Sequence, residues 1–411
     1  MSSTAPAPGA PPAPSPQTEI RVRVFPAISD IAASSWDRCA GAGIAANPFT
    51  RHAFLSALEV SKSATARTGW QPQHLVAETA DGEIIGVAPC YLKSHSRGEY
   101  VFDRGWADAY ERAGGSYYPK VQVSVPFVPA TGRRLIAAPG AEMAQAALAQ
   151  GLLELCKLRE ASSVHVTFMT EGEWRALGQC GFLLRNDQQF HWQNGPFQNF
   201  DEFLGALASR KRKIIRRERR DALADGIEVV WLTGRDLTEA AWDAFFAFYM
   251  ETGSRKWGRP YLTREFFSRI GETMADATVL IMAKRRGRYI AGAINFVGAD
   301  TLFGRHWGAT EHHPFLHFEI CYYQAIEYAL HHKLARVEAG AQGEHKLARG
   351  YLPTTTYSAH YIADRSFRRA IDDYLARERA YVEAAGRDLL QASPFRKDLA
   401  REELAEEGAG L

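Results

Sequence analysis

The sequence is poor in the features that mark secreted, membrane-spanning and strongly nucleic-acid-binding proteins. Its 411 residues hold five cysteines, Cys39, Cys90, Cys156, Cys180 and Cys321. They are scattered, odd in number and form no C-x-x-C pair. That pattern excludes a disulfide framework and a thiolate zinc site, and it fits a reducing compartment. No apolar run approaches the ~20 residues that span a bilayer. A net charge of +2 leaves no global excess for holding DNA. The stretch Met1 to Gln17 is rich in Ala, Pro and Ser but lacks a basic start and an apolar centre, so it reads as a disordered tail and not as a signal peptide. Missing too are a G-x-S-x-G elbow, a Ser-His-Asp order, a Walker loop and a Rossmann fingerprint, which sets aside the standard hydrolases, ATPases and dehydrogenases. The expectation is a cytoplasmic protein without a permanently bound cofactor or metal. Peripheral contact with the inner face of the membrane stays open.

What is present is an ordinary globular composition, 46% apolar and 23% charged, with strand-like and helix-like stretches alternating throughout. Ile84 to Lys93 reads as one strand, joined to Leu75–Thr79 by a hairpin turn at Asp81-Gly82. Val279–Lys284 and Tyr289–Val297 pair the same way across Arg286-Gly287. Each hairpin carries a glycine inside its second strand, Gly86 and Gly292, a sign of a bulge or of close backbone approach. The order of elements repeats in the two halves. The fold class is therefore α/β of the α+β kind, with two tandem halves whose mixed central sheets are flanked by helices. The division expected is a tail at 1–18, a first domain at 19–195, a second at 196–392 opening with a basic linker helix, and a charged tail at 393–411.

Three stretches can carry chemistry. From Arg210 to Arg220 there are eight Lys or Arg and one acid. At helical spacing Arg212, Arg216 and Arg219 share one face, and with Lys211 they can hold the phosphates of a CoA, an RNA or an anionic lipid. The second stretch is Arg305 to Glu319, where a strand meets a helix that starts at Pro314. The free N–H groups of such a start can bind a phosphate or an oxyanion. Glu319 lies one turn in and, with Tyr322 and Tyr323 at i+3 and i+4, forms one face where a carboxylate can accept a proton from an attacking amine. His313 and His317 have i,i+4 spacing but no third ligand, which falls short of a zinc site. The third stretch is Glu338 to Gly350, a polar loop after a short strand, in which Gln342, Glu344 and His345 can hold an acceptor and Lys346 or Arg349 can face an anion.

These stretches, together with Trp106-Ala-Asp-Ala-Tyr110, Tyr117-Tyr-Pro-Lys120, Val125-Pro-Phe127, Ser209-Arg-Lys-Arg212, Gly253-Ser-Arg-Lys-Trp-Gly258, His317-Phe-Glu319 and Gly340-Ala-Gln-Gly-Glu-His-Lys346, resemble the FemAB-like branch of the GNAT superfamily from about Asn47 to Lys397. The resemblance implies two GNAT-like domains and transfer of an acyl or aminoacyl group to an amine. On it, Glu319 and Glu344 are the expected proton acceptors with His317 beside them. The expected substrate-binding residues are Lys211, Arg212, Arg216, Lys256, Trp257, Arg305, Tyr322, Tyr323, Gln342, His345, Lys346 and Arg349. The usual Gln/Arg-x-x-Gly-x-Gly/Ala phosphate loop is absent, and Thr310 to Leu316 stands in its place. The chain also resembles the bacterial ceramide synthases, which implies acyl-CoA as co-substrate and a long-chain amine, a sphingoid base, as acceptor. The aromatic segments Trp242–Tyr249 and Phe315–Tyr323 would then line an apolar slot. The alternative is an aminoacyl-tRNA-dependent transferase acting on a peptidoglycan precursor, with tRNA on the basic run. A non-catalytic binding protein is the third reading.

Overall fold

The computed structural model describes residues 19–41, 47–257, 260–340 and 343–396. The expected tail 1–18 and all but the start of the expected tail 393–411 lie outside these residues. The first half supplies β1 (Ile20–Phe25), β2 (Trp70–Pro72), β3 (His74–Thr79), β4 (Ile84–Ala88), β5 (Cys90–Lys93), β6 (Lys120–Val123), β7 (Ile136–Ala137), β8 (Ser163–Met169) and β9 (Leu183–Gln193). The second half supplies β10 (Ile227–Thr233), β11 (Thr278–Arg285), β12 (Arg288–Val297), β13 (Thr301–Ala309), β14 (Arg336–Glu338) and β15 (Leu352–Ile362). They form a four-stranded sheet, β1-β3-β4-β7, and an eleven-stranded one, β10-β11-β12-β13-β14-β9-β15-β8-β6-β5-β2.

The stretch read as one strand from Ile84 to Lys93 is two. Pro89 has no N–H to give a ladder, and the chain passes there from β4 in the small sheet to β5 in the large one. The repeat of the two halves is deeper than the sequence echo. Both hairpins carry a register shift just before the turn, between Ala77 and Glu78 and between Ala283 and Lys284. Both halves also contain one parallel pair, β6 with β8 and β13 with β14. The in-strand glycines mark close approach. A Cβ on Gly86 would lie 2.8 Å from the Cβ of Ala144 on the helix above, and one on Gly292 would lie 2.4 Å from Met282 Sδ.

The expected boundary near residue 195 divides the chain but not the sheet. In the order β14-β9-β15-β8 the closing strand of each half lies beside the other half's parallel-pair strand. β9 pairs with β14, and β15 inserts between β9 and β8. The C-terminal helix Arg365–Gln391 follows β15 onto the first half and buries Ile371 and Leu375 with Trp106 and Tyr117. The unit expected at 196–392 therefore gives its last strand and helix to its neighbour. The stretch rich in Gly, Pro and aromatics between residues 98 and 140 holds the helix Arg104–Arg112.

The two halves share one apolar core. Trp36, Phe49 and Phe54 from the first pack with Trp242, Phe267 and Phe296 from the second. The Phe49 ring stands edge-on to Phe296 and Phe303 at 5.2 and 5.1 Å. Each such ring contributes about 1.5–3 kcal/mol by burial, and edge-to-face pairs add about 0.5–1.5 kcal/mol. An interface of this kind holds the walls between the halves in a fixed relation. Among the described residues no helix is long and apolar enough to cross a membrane.

Candidate active site between the halves

A cavity of about 970 Å³ opens between the halves, at the upper end of the range for small-molecule sites. The first half contributes the segment His95–Arg104 with Tyr118. The second contributes Tyr249 and Tyr261, then Arg305 to Trp307, His317 and Gly340.

The first-half wall is built on buried charge. Asp103 stands at the start of the helix Arg104–Arg112 but makes no capping bond. Its Oδ2 accepts instead from the Lys120 ammonium and, at 2.8 Å, from the Tyr117 hydroxyl. Its Oδ1 is buried without a hydrogen-bond partner. Burial works to raise the Asp103 pKa, but the Lys120 charge pressed against it outweighs burial and holds the carboxyl well below the usual carboxylate range. Lys120 also donates to Ser96 Oγ at 2.9 Å and to Glu99 Oε2 at 2.6 Å. Ser96 in turn bonds the Tyr118 hydroxyl at 2.8 Å.

The second-half wall arises where β13 and β14 part. They pair only from Thr301↔Arg336 to Phe303↔Glu338. Just beyond, the register of β12 with β13 slips between Ile294↔His306 and Asn295↔Gly304, so Arg305 is the extra residue of a bulge. Its Nη2 donates to Phe127 O at 2.5 Å, while its Nε is buried without a partner. Glu338, at the fork, is 5% exposed. Burial pushes its carboxyl up to about 7, against the pull of Arg336 and Arg305. Its Oε2 and the Nδ1 of His191, 4.0 Å from Glu338 Oε1, both lack hydrogen-bond partners. Burial likewise holds His306 and His191 neutral, each lowered to about 3.

A family model for FemAB-like proteins, described as peptidoglycan biosynthesis/recognition, matches residues 27–397. The chain belongs to the FemAB-like family. A crystal structure of FemX superposes with a TM-score of 0.51 at 13% identity, over 83% of this chain and 98% of that one. L-PGS from Bacillus licheniformis gives 0.48 at 9%, over 78% and 95%. A tandem GNAT protein from the clavulanic acid biosynthesis pathway gives 0.43 at 14%, over 84% and 99%. No curated protein matches the sequence.

In this FemAB-like chain the sequence-derived candidates scatter. Arg305 and His317 reach the cavity, the His317 ring lying 5.2 Å from that of Trp307. Glu319 is not among the lining residues. It is 0% exposed and its oxygens accept from Arg219 at 2.9 and 3.0 Å and from Gln324 at 2.8 Å. The structure thus places Glu319 in a buried ion pair away from the cavity, not beside an entering amine as expected.

The helix expected from Pro314 to His331 is also interrupted. Phe315 is left-handed, Leu316–Phe318 make one turn, and Glu319–Tyr323 form a π turn before the α-helix Gln324–His331 resumes. The wider turn breaks the i+3/i+4 register and sends the tyrosines apart. Tyr322 meets His345 Nε2 at 2.9 Å, and Tyr323 donates to Glu218. The expected anion site at the helix start has no regular helix behind it.

Arg349 pairs with Glu218 at 2.8 Å and lies over the Phe318 ring, so the anion it faces is one of the protein's own and the pair ties the loop to the basic helix. Lys346 is buried on Gly340 O at 2.8 Å, and burial lowers it to about 8. Lys211, Arg212 and Arg216 lie on the helix Ser209–Ala222, outside the cavity lining. Arg212 donates to Gly205 O and Arg216 to Asp201, while Arg219 from the same expected face turns inward. Of the aromatic segments expected to form a slot, Trp242, Phe245 and Phe248 are core, while Tyr249 and His317 reach the cavity. His313 pairs with Glu311 at 3.0 Å. Gln342 lies outside the described residues, as do the side chains of Lys256, Trp257 and Glu344.

Two carboxyls were not anticipated. Asp103 lies three residues ahead of the motif that begins at Trp106 and belongs to none of the quoted motifs. Glu338 was visible only as an acid in a short strand before a glycine-rich loop.

Proposed function

We propose that the chain is an N-acyltransferase of the FemAB type, which receives an amine in the cavity beside Asp103 and moves onto it an acyl group from an activated ester. The observation that carries this reading is the state of Asp103. It is 2% exposed, sits at the cavity wall, is held ionised by Lys120, and has one oxygen without a partner. A buried acceptor left unmade costs about 1–3 kcal/mol, and more when charged. An amine N–H entering the cavity would satisfy it with a charge-assisted bond.

The bound ammonium first releases one proton to solvent, and the neutral amine nitrogen attacks the carbonyl carbon. The C–N bond forms, the oxyanion develops, and the C–O bond to the donor breaks as the proton shed by the attacking nitrogen passes, directly or through water, to the leaving oxygen. Arg305, on the facing wall with an unpartnered Nε–H, supplies a cationic donor for that oxyanion. No covalent enzyme intermediate is required.

The acceptor in this reading is the amine of a peptidoglycan precursor, and the donor an aminoacyl-tRNA. The family's description supports the acceptor. The donor is supported by the outer face of the helix Ser209–Ala222, where Arg210, Lys213, Arg216, Arg217 and Arg220 are exposed. This helix packs on the turn that delivers His317 to the cavity. The purified protein should label a muropeptide precursor from aminoacyl-tRNA and lose that activity to RNase. Full turnover with acyl-CoA, insensitive to RNase, would overturn the donor assignment.

A second reading, transfer of a fatty acyl group from acyl-CoA to a sphingoid base, is favoured by one observation. The cavity is walled by Tyr249, Tyr261 and Trp307, with Phe102 64% exposed at its edge, surfaces suited to an alkyl chain. Ceramide levels unchanged in a deletion strain, measured by lipid mass spectrometry, would remove it.

A further inference from the structure

We propose that Lys120 is the positioning residue of this cavity: it fixes Asp103 as a carboxylate and so makes the first-half wall a site for an ammonium ion, the form in which the acceptor binds. The inference rests on the reading of Asp103 as the acceptor's partner and adds the charge state of the substrate to it.

The case begins with register. Lys93 on β5 and Lys120 on β6 are direct cross-strand partners, and both are 0% exposed. Like charges placed opposite one another repel, and buried charges need partners. Glu99 lies between them, 2.6 Å from Lys120 and 3.6 Å from Lys93. Lys93 also sits 3.4 Å over the Trp70 ring. Asp103 is the second anion, in contact with Lys120. The group holds two lysines and two carboxyls, with burial lowering Lys93 to about 7 and raising Glu99, and its contacts are unequal: Glu99 is shared, whereas Asp103 depends on Lys120.

The other groups around Asp103 do not replace Lys120. Tyr117 gives a neutral hydroxyl. His165 Nε2 is 4.0 Å away and engaged by Ser163 Oγ at 2.7 Å, while its Nδ1 meets His360 Nδ1 at 2.7 Å. Burial keeps both imidazoles uncharged. Arg185, the next cation, is spoken for by Glu378 at 2.7 and 2.8 Å. Among the described residues Lys120 is the cation that touches Asp103.

Two further points tie the group to the cavity. Lys120 bonds Ser96, and through it Tyr118, and both line the space with Asp103. Buried ion pairs are also poor devices for stability, since desolvation offsets most of the attraction. A buried cluster of titratable groups behind a cavity wall, with Asp103 as its member on the lining, is better accounted for by the field it imposes there.

The test is the titration of Asp103 in the full chain, followed by side-chain carbon NMR with labelled aspartate and assigned with Asp103→Asn. In the wild type the signal should stay that of a carboxylate well below the ordinary aspartate value of about 3.9. A wild-type titration at or above that value overturns the proposal without any variant. The double variant Lys120→Met/Glu99→Gln removes one buried charge of each sign and so keeps the group neutral. In it the titration should rise by more than one pH unit, and Lys120→Arg should hold it low. An unchanged titration in the folded double variant overturns the role of Lys120. Butylammonium chloride should shift the Asp103 signal at neutral pH while butanol does not; equal effects overturn the ammonium site. The acid limb of kcat/KM should move upward with the NMR value in the double variant. If the NMR results hold and Asp103→Asn still transfers acyl groups as the wild type does, the functional reading fails while the role of Lys120 stands.

Discussion

Arg219 and Glu319 form a two-pronged pair, Nε to Oε2 at 3.0 Å and Nη2 to Oε1 at 2.9 Å, and Glu327 closes the other edge of the same guanidinium at 2.8 and 2.9 Å. The pair joins the basic helix to the π turn and takes Glu319 out of reaction chemistry. Glu319→Gln should therefore lower stability, by about 3 kcal/mol if it behaves as a broken buried pair does. Turnover per folded molecule should stay near wild type. Urea unfolding beside an active-site titration separates the two, and a large loss of turnover at unchanged stability would return Glu319 to the mechanism.

Asp103→Asn keeps the shape of the wall and removes its charge. Turnover should fall by at least about 100-fold, as expected when a group that positions the reacting amine is lost, with the melting curve still cooperative. Steady-state kinetics beside circular dichroism make the measurement.

Glu338 gives a pH signature in stability. Its folded pKa of about 7 lies above the ordinary 4.5, so between those values the folded chain keeps a proton that the unfolded chain has released. The stabilisation is whole below the lower value and is lost as pH rises through the upper one. Glu338→Gln removes that loss. Between pH 5 and pH 8 the variant should gain about 2–3 kcal/mol relative to the wild type, read from urea midpoints at the two pH values. Parallel curves for the two proteins would mean that Glu338 is ionised in the fold throughout.

Arg210, Lys213 and Arg217 are exposed on the basic helix. Changing all three to Gln should leave the melting temperature in place and reduce the salt dependence of tRNA binding by about 2 in the log–log slope, near 0.7 per lost phosphate contact. Filter binding across a salt series tests this. An unchanged slope would place the RNA elsewhere or remove it.

Periodicity made most elements legible, and the repeated hairpins with their glycines pointed correctly to a duplicated, mixed α/β fold. Arg305 and His317, singled out where a strand end and a helix start meet, both line the cavity. Asp103 was not, since its meaning comes from Lys120 and His165, which only the sheet brings beside it. Glu319 misled because regular helical spacing was assumed across a segment that is a π turn. The exchange of strands was invisible for a similar reason: β9 and β15 read as ordinary strands, and nothing in their own residues names the partner.

That exchange sets an order of events during synthesis. β8 and β9 leave the ribosome well before the strand that lies between them, Leu352–Ile362. Until it arrives, the first half carries two unfilled strand edges, the kind of surface on which nascent chains pair wrongly. His360 and the helix Arg365–Gln391, which back the wall that holds Asp103, arrive with it or after it. A chain stopped before β15 would therefore lose the support for the first-half wall, and a nascent molecule would have no working cavity until that strand and the helix after it had been made.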